Sequence, residues 1–229
     1  MEPITAVLWD IDGTLLNFLE AEKAAIRACF SRFGLGECTD AMLARYSAVN
    51  VGYWKRIERG EIDKRRALTA RFEDFFAGEG LDAGCAAPFN AEYQVRLGDT
   101  VVFNPGARET VTALRGRVRQ YAVTNGTRTA QRRKLANSGL DRLLDGVFIS
   151  EDVGVEKPDP AFFDYVFARI DAPQAETVII GDSLSSDMPG GRNAGIRCWW
   201  YNPAGEAADS RVDRVIADLS LIPALILGA

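Results

Sequence analysis

Apolar positions along the chain follow two periods, and the change between them divides it. Ala6 to Trp9 form an unbroken apolar run that ends in Asp10-Ile11-Asp12-Gly13, the pattern of a strand buried on both faces and closed by an acidic turn. From Phe18 to about Leu97 the spacing is helical: Ile26, Cys29, Phe30 and Phe33, then Met42, Tyr46, Val49 and Tyr53, then Leu68, Phe72, Phe75 and Phe76. After Val101 short apolar runs alternate with helical segments. Strands are predicted at Val118 to Thr124, Val147 to Ser150, Thr177 to Gly181 and Ile196 to Tyr201. Helices are predicted through Leu114, from Thr127 to Ser138, from Pro158 to Ile170 with Pro158 or Pro160 at its start, and up to Ala194. The pattern predicts an α/β fold: a doubly wound, mostly parallel sheet built from residues 1–16 and 99–229, with an all-helical domain, residues 17–98, inserted after the first strand. The two crossings, Leu15 to Leu19 and Gly98 to Asn104, are the predicted hinges.

Composition narrows the chemistry. With 229 residues and 47% of them apolar, the chain can bury a substantial core, and a net charge of -5 gives no footprint for a nucleic acid polymer or an anionic membrane. It contains no histidine, which removes Ser-His-Asp and Cys-His hydrolysis and His-ligated zinc. Proton transfer then falls to carboxylates or lysine. Cys29, Cys38, Cys85 and Cys198 form no Cys-x-x-Cys pair and no export signal precedes them, so reduced thiols and a cytoplasmic location are expected. The apolar tail from Leu219 to Leu227 is broken by Pro223 and is shorter than the roughly 20 residues of a membrane span; a docked terminal helix is expected.

Three predicted strands end in polar groups, at Asp10, Thr124 and Gly181-Asp182, and in a parallel sheet those ends share one edge, where α/β proteins bind ligands. Asp10 and Asp12 can divide the labour of nucleophile and proton donor. Asp182 and Asp187, with Asp10 and the backbone carbonyl of Asp12, make an all-oxygen set suited to magnesium, Mg²⁺. Ser183, Ser185, Ser186 and Asp187 have a lesser alternative reading as caps of the next helix. Thr124-Asn125-Gly126 offers a hydroxyl and backbone N–H groups to an anion, and is also an ordinary turn. Lys157, before Pro158, supplies a cation among carboxylates that would otherwise repel a phosphate; with Asp12 protonated, Mg²⁺ and Lys157 balance the remaining three.

Assembled in this order, Asp10-Ile11-Asp12-Gly13-Thr14, Thr124, Lys157 and Gly181-Asp182 through Asp187 resemble the four motifs of the haloacid dehalogenase superfamily, with the helical insert in the place of its small cap. The resemblance implies an aspartyl-phosphate mechanism. Asp10 attacks phosphorus, Asp12 protonates the leaving alkoxide and then activates water, and Thr124 and Lys157 hold the phosphoryl oxygens. Mg²⁺ is held by Asp10, the Asp12 carbonyl and Asp182, and Asp187 binds it directly or through water. Tyr46 to Ile62, Ile149 to Pro158 and Gly190 to Asn202 look like the subgroup of cytoplasmic 5′-nucleotidases acting on pyrimidine and non-standard nucleoside monophosphates. Gly13 departs from that subgroup's usual residue. The expected substrate is therefore a small phosphate monoester, most simply a nucleoside 5′-monophosphate. A sugar phosphate, phosphoglycolate or a phosphomutase reaction is the alternative, and outside catalysis a phospho-ligand-binding module. In the insert, Asn50, Tyr53 and Trp54 are candidates to contact the base, although Tyr53 also fits a core stripe. Oligomeric state is not legible in these patterns.

Overall fold

The computed structural model describes residues 2–207 and 211–228. Among them, six strands form one parallel sheet: β1 (Ala6–Trp9), β2 (Arg119–Thr124), β3 (Gly146–Ile149), β4 (Thr177–Gly181), β5 (Arg197–Tyr201) and β6 (Arg214–Ile216), in the order β3-β2-β1-β4-β5-β6. β1 is central, and the order reverses beside it. The ten α-helices among the described residues are α1 (Phe18–Phe33), α2 (Asp40–Glu58), α3 (Lys64–Glu79), α4 (Ala86–Asp99), α5 (Ala107–Leu114), α6 (Arg128–Ser138), α7 (Ser150–Val153), α8 (Pro160–Phe167), α9 (Asp187–Asn193) and α10 (Ile222–Leu227). The chain divides into two compact units, Met1–Phe18 with Val101–Ala229, and Leu19–Thr100.

In the sheet unit the strands are buried on both faces, as their continuous apolar character requires. Val7, Trp9, Val178 and Ile180 pack on one side with Val111, Leu114 and Leu135, while Leu8, Val123 and Ile179 pack on the other with Phe162, Phe163 and Val166. Alternation of side chains along each strand produces this split. The polar end of the one buried indole on β1 is satisfied, since Trp9 Nε1 donates to Gln120 Oε1 at 3.1 Å. Thr127 caps α6 by accepting from Ala130 N, and Gly139 in left-handed conformation ends it. Asp159 caps α8, with Pro160 in its first turn.

Three elements differ from expectation. α8 begins at Pro160, one of the two prolines expected at its start, where the Asp159 side chain caps it, and it ends at Phe167, before the expected Ile170. β6 was not predicted, being a three-residue edge strand with only Ile216 buried. The tail is not one helix: a short 3-10 turn, Leu219–Leu221, precedes α10. Leu219 and Ile222 are buried, and Thr110 Oγ1 donates to the Leu219 carbonyl at 2.8 Å. No helix among the described residues is long and apolar enough to cross a membrane.

The segments entering and leaving the insert are hydrogen-bonded to each other, Asn17 N to the Val102 carbonyl at 2.8 Å and Asn104 N to that of Leu15 at 3.0 Å. The insert's four helices close over aromatic rings. Tyr46 stacks on Phe72 at 5.0 Å, and Phe76 meets Phe89 edge-on at 4.9 Å.

Candidate active site

The carboxyl-terminal ends of β1, β2 and β4 bring Asp10, Thr124 and Asp182 to the same edge of the sheet, beside the point where strand order reverses. Into this edge comes Lys157, which is 1% exposed. Its Nζ donates to Asp10 Oδ1 at 2.8 Å, to Asp187 Oδ1 at 2.6 Å and to the Val123 carbonyl at 2.6 Å, so its three protons meet three acceptors. Burial alone would favour the neutral amine, but Asp10 and Asp187 outweigh it and hold Lys157 above the ordinary lysine range.

Asp10, Asp182 and Asp187 each bring a carboxylate oxygen within 4.8 Å of the others. Burial pushes Asp10 up to about 7; Lys157 opposes this and the charge of Asp187 adds to it. Asp182 is open to solvent on one side, yet the protein atoms around it desolvate the carboxyl, and Asp10 and Asp187 repel its charge, so it too is raised. Carboxylates that hold protons this tightly in the absence of a cation are a donor set matched to one. All-oxygen ligation by Asp10, Asp182 and a backbone carbonyl suits a hard divalent ion.

The turn after β1 is shaped for that cluster. Gly13 has φ of +96°, and a Cβ there would lie 2.3 Å from Asp182 Oδ2, so the close approach requires glycine. Thr14 Oγ1 lies 3.3 Å from both Asp10 Oδ2 and Asp182 Oδ1. Asn104 Nδ2 braces the turn from below through the carbonyls of Gly13 and Thr14, at 2.9 and 2.8 Å. Trp200 Nε1 donates to the Asp182 carbonyl at 2.9 Å.

Several predicted site residues hold the site's protein parts together. Asp187 is fully buried, with Oδ1 on Lys157 and Oδ2 accepting from Ser183 N at 3.0 Å; both oxygens are already engaged, so it stands behind Lys157. Asn125 pairs reciprocally with the Lys157 backbone, at 2.8 Å to its carbonyl and 2.9 Å from its N–H. The Gly126 N–H is directed onto Thr124 Oγ1 at 3.0 Å, so the expected anion cradle loses that donor to the turn itself. The hydroxyl proton of Thr124 remains for an incoming group.

The insert corrects two expectations. Asn50 is 1% exposed: Nδ2 donates to Glu22 Oε2 at 2.7 Å and Oδ1 accepts from Arg71 Nη1 at 2.6 Å. Both ends of its amide are used inside the helical unit, because a buried Glu22 and a buried Arg71 need a polar bridge. Tyr53 is likewise buried among Ile57, Ala67 and Ala70, with its hydroxyl donating to Asp74 Oδ2 at 2.6 Å. Trp54 is half-buried against the same cluster, with Lys64 Nζ 5.7 Å from its ring centroid.

Two residues that the sequence reading passed over reach Asp12. Lys134, fully buried on α6, forms an ion pair with Asp12 Oδ1, and Gln131 Nε2 donates to Asp12 Oδ2 at 2.6 Å. The charge balance changes accordingly. Four carboxyl groups, Asp10, Asp12, Asp182 and Asp187, therefore face two buried ammonium groups, Lys134 and Lys157. A signal was available: Ala130, Gln131, Lys134 and Leu135 share the buried face of α6, and a lysine on such a face needs a carboxylate.

Comparison with known proteins shows the family. The family model for haloacid dehalogenase-like hydrolases matches residues 4–195. The HAD-hydrolase YfnB of Bacillus subtilis is 35% identical over 204 residues, covering 89% of this chain and 86% of YfnB. The pyrimidine 5′-nucleotidase PynA of Streptococcus pneumoniae is 35% identical, covering 86% of this chain and 83% of PynA, and the pyrimidine 5′-nucleotidase YjjG of Escherichia coli is 32% identical, covering 86% and 85%. A crystal structure of YfnB bound to magnesium superposes with a TM-score of 0.92 over 98% of this chain and 99% of that one, at 31% identity. With its core motifs gathered at one sheet edge and its sequence matched over most of its length, the chain belongs to the haloacid dehalogenase-like hydrolases.

Proposed function

We propose that this hydrolase cleaves small phosphate monoesters, nucleoside 5′-monophosphates with pyrimidine bases first among them, through a phosphorylated Asp10. The observation that carries the reading is Lys157 Nζ bridging Asp10 and Asp187 at 2.8 and 2.6 Å with Asp182 beside them. This is a nucleophile next to a fixed cation, in a cluster where carboxyl groups outnumber ammonium groups. The pyrimidine preference rests on the likeness to PynA and YjjG.

Asp10 attacks phosphorus, the bond from phosphorus to the ester oxygen breaks, and the electron pair leaves on that oxygen. Asp12, two residues on, gives it a proton. Asp12 then takes a proton from water as the water attacks the phosphoryl group, releasing inorganic phosphate and restoring Asp10. The Thr124 hydroxyl holds a phosphoryl oxygen as charge develops on it, and Lys157, with its protons on Asp10, Asp187 and the Val123 carbonyl, supplies a fixed positive charge beside it. Asp10, Asp182 and the Asp12 carbonyl would hold Mg²⁺, which supplies the positive charge that lets a dianion enter among carboxylates. The absence of histidine is consistent with this division, since the proton is carried by a carboxylate.

One observation favours a second reading. Asn50 and Tyr53 are committed inside the helical unit, so neither offers a free group to a base, and recognition of another small phosphate ester fits the core equally well. A phosphate-release panel of nucleoside monophosphates, sugar phosphates and phosphoglycolate, with and without Mg²⁺, tests both. Magnesium-dependent release fastest from pyrimidine nucleotides supports the first reading, faster release from another ester supports the second, and no release from any ester sinks the hydrolytic reading.

A further inference from the structure

We infer that Lys134 and Gln131 are positioning residues that clamp the Asp12 carboxyl group by both oxygens and fix its rotation toward the ester oxygen. The inference rests on the proposed role of Asp12 as proton donor. Lys134 takes Oδ1 and Gln131 takes Oδ2 at 2.6 Å, from adjacent turns of α6, a helix capped at Thr127 and buried along that face. Asp12 itself keeps 20% of its side chain exposed, while the Lys134 side chain is 1% exposed. The carboxyl group therefore has a protein side, filled by the clamp, and an open side.

The clamp is a poor device for stability alone. Asp12 is the only ion-pair partner of Lys134 among the described residues, and a single partly exposed carboxylate with the Phe18 ring 5.3 Å from the ammonium recovers only part of its lost hydration. Gln131 is fully buried, and its Oε1 has no hydrogen-bond partner, so half of its amide is sacrificed to deliver the other half to Asp12. Leucine or methionine on that helix face would pack without either cost. The chain also makes room for the clamp. A Cβ at Gly126 would lie 2.1 Å from Gln131 Nε2, so the glycine of Thr124-Asn125-Gly126 lets the amide pass to Asp12.

Proton donation matters most when the leaving oxygen is a poor leaving group, and this separates a positioning role from a structural one. Rapid-quench single turnovers are run on a pyrimidine nucleoside 5′-monophosphate, whose alkoxide needs a proton, and on p-nitrophenyl phosphate, whose phenolate leaves without one. Lys134→Met is expected to slow ester cleavage of the nucleotide by roughly tenfold. It should leave the p-nitrophenolate burst and the KM for both esters within about twofold, and Lys134→Arg should recover part of the loss. Gln131→Leu, which removes no charge, gives the same contrast and serves if Lys134→Met does not fold. Equal slowing of both esters, or no slowing of either, overturns the clamp. Asp12→Asn with undiminished nucleotide cleavage instead overturns the mechanism on which the clamp depends.

Discussion

Lys157 and Asp187 form a buried ion pair at 2.6 Å, with both side chains 1% exposed, and the same ammonium reaches Asp10 at 2.8 Å. Removing the cation leaves two carboxylates facing each other in a desolvated place. Lys157→Met is expected to destabilise the protein by about 3–5 kcal/mol and to lower turnover by at least roughly a hundredfold. Lys157→Arg should rescue little, since a planar fork does not fit three convergent acceptors. Thermal unfolding and kcat on one ester check both; an arginine variant with near-wild-type turnover contradicts the geometry.

Asp10 sits at about 7 where an ordinary aspartate sits at 3.8, so in the cation-free protein the folded chain keeps a proton that the unfolded chain loses across that window. Its contribution to stability is fully present below roughly pH 4 and declines as pH rises toward 7. Mg²⁺ competes with that proton. The rise in Tm on adding Mg²⁺ should therefore be larger at pH 8 than at pH 5.5, and a rise independent of pH would contradict the assignment of Asp10 as a ligand.

Gly13→Ala places a methyl 2.3 Å from Asp182 Oδ2 on a backbone with φ of +96°. A loss of about 1–3 kcal/mol in stability is expected, with a larger effect on the magnesium-induced Tm shift than on unfolding without magnesium. Differential scanning with and without Mg²⁺ reads both, and an unchanged magnesium shift contradicts the close approach.

Asp10→Asn should leave unfolding near wild type, or raise Tm by relieving crowded charge, while abolishing turnover. A clean preparation that retains more than about a thousandth of wild-type kcat would end the covalent route.

Asn50→Ala leaves Glu22 and Arg71 each short of a buried partner. The expected cost is about 2–4 kcal/mol, with equal changes in kcat/KM for a nucleotide and for p-nitrophenyl phosphate. A selective loss on the nucleotide would return this amide to substrate recognition.

The sheet was legible because buried parallel strands announce themselves as short apolar runs, and β1, β2, β4 and β5 each sit in one. β6 was not, since an edge strand with a single buried residue carries no such signal. At the candidate site, Asp10, Asp182 and Lys157 could be placed because each follows a strand or precedes a proline. Lys134 and Gln131 were harder to place, because a mid-helix lysine is most often on the solvated face and the one signal, a face shared with Ala130 and Leu135, gains its meaning from the packing of α6. Asn50 is the mirror image: a polar residue beside aromatics was expected to meet a ligand, and its partners in the structure are Glu22 and Arg71, distant in sequence.

The hydrogen bond from the Trp200 indole to the carbonyl of Asp182 couples an intrinsic fluorophore to the cluster of acids. Any ion settling on Asp182 alters the field along that indole, so emission from this ring reports occupancy without a label. With Trp9, Trp54 and Trp199 replaced by phenylalanine, titration of the cation becomes an optical measurement on the intact chain.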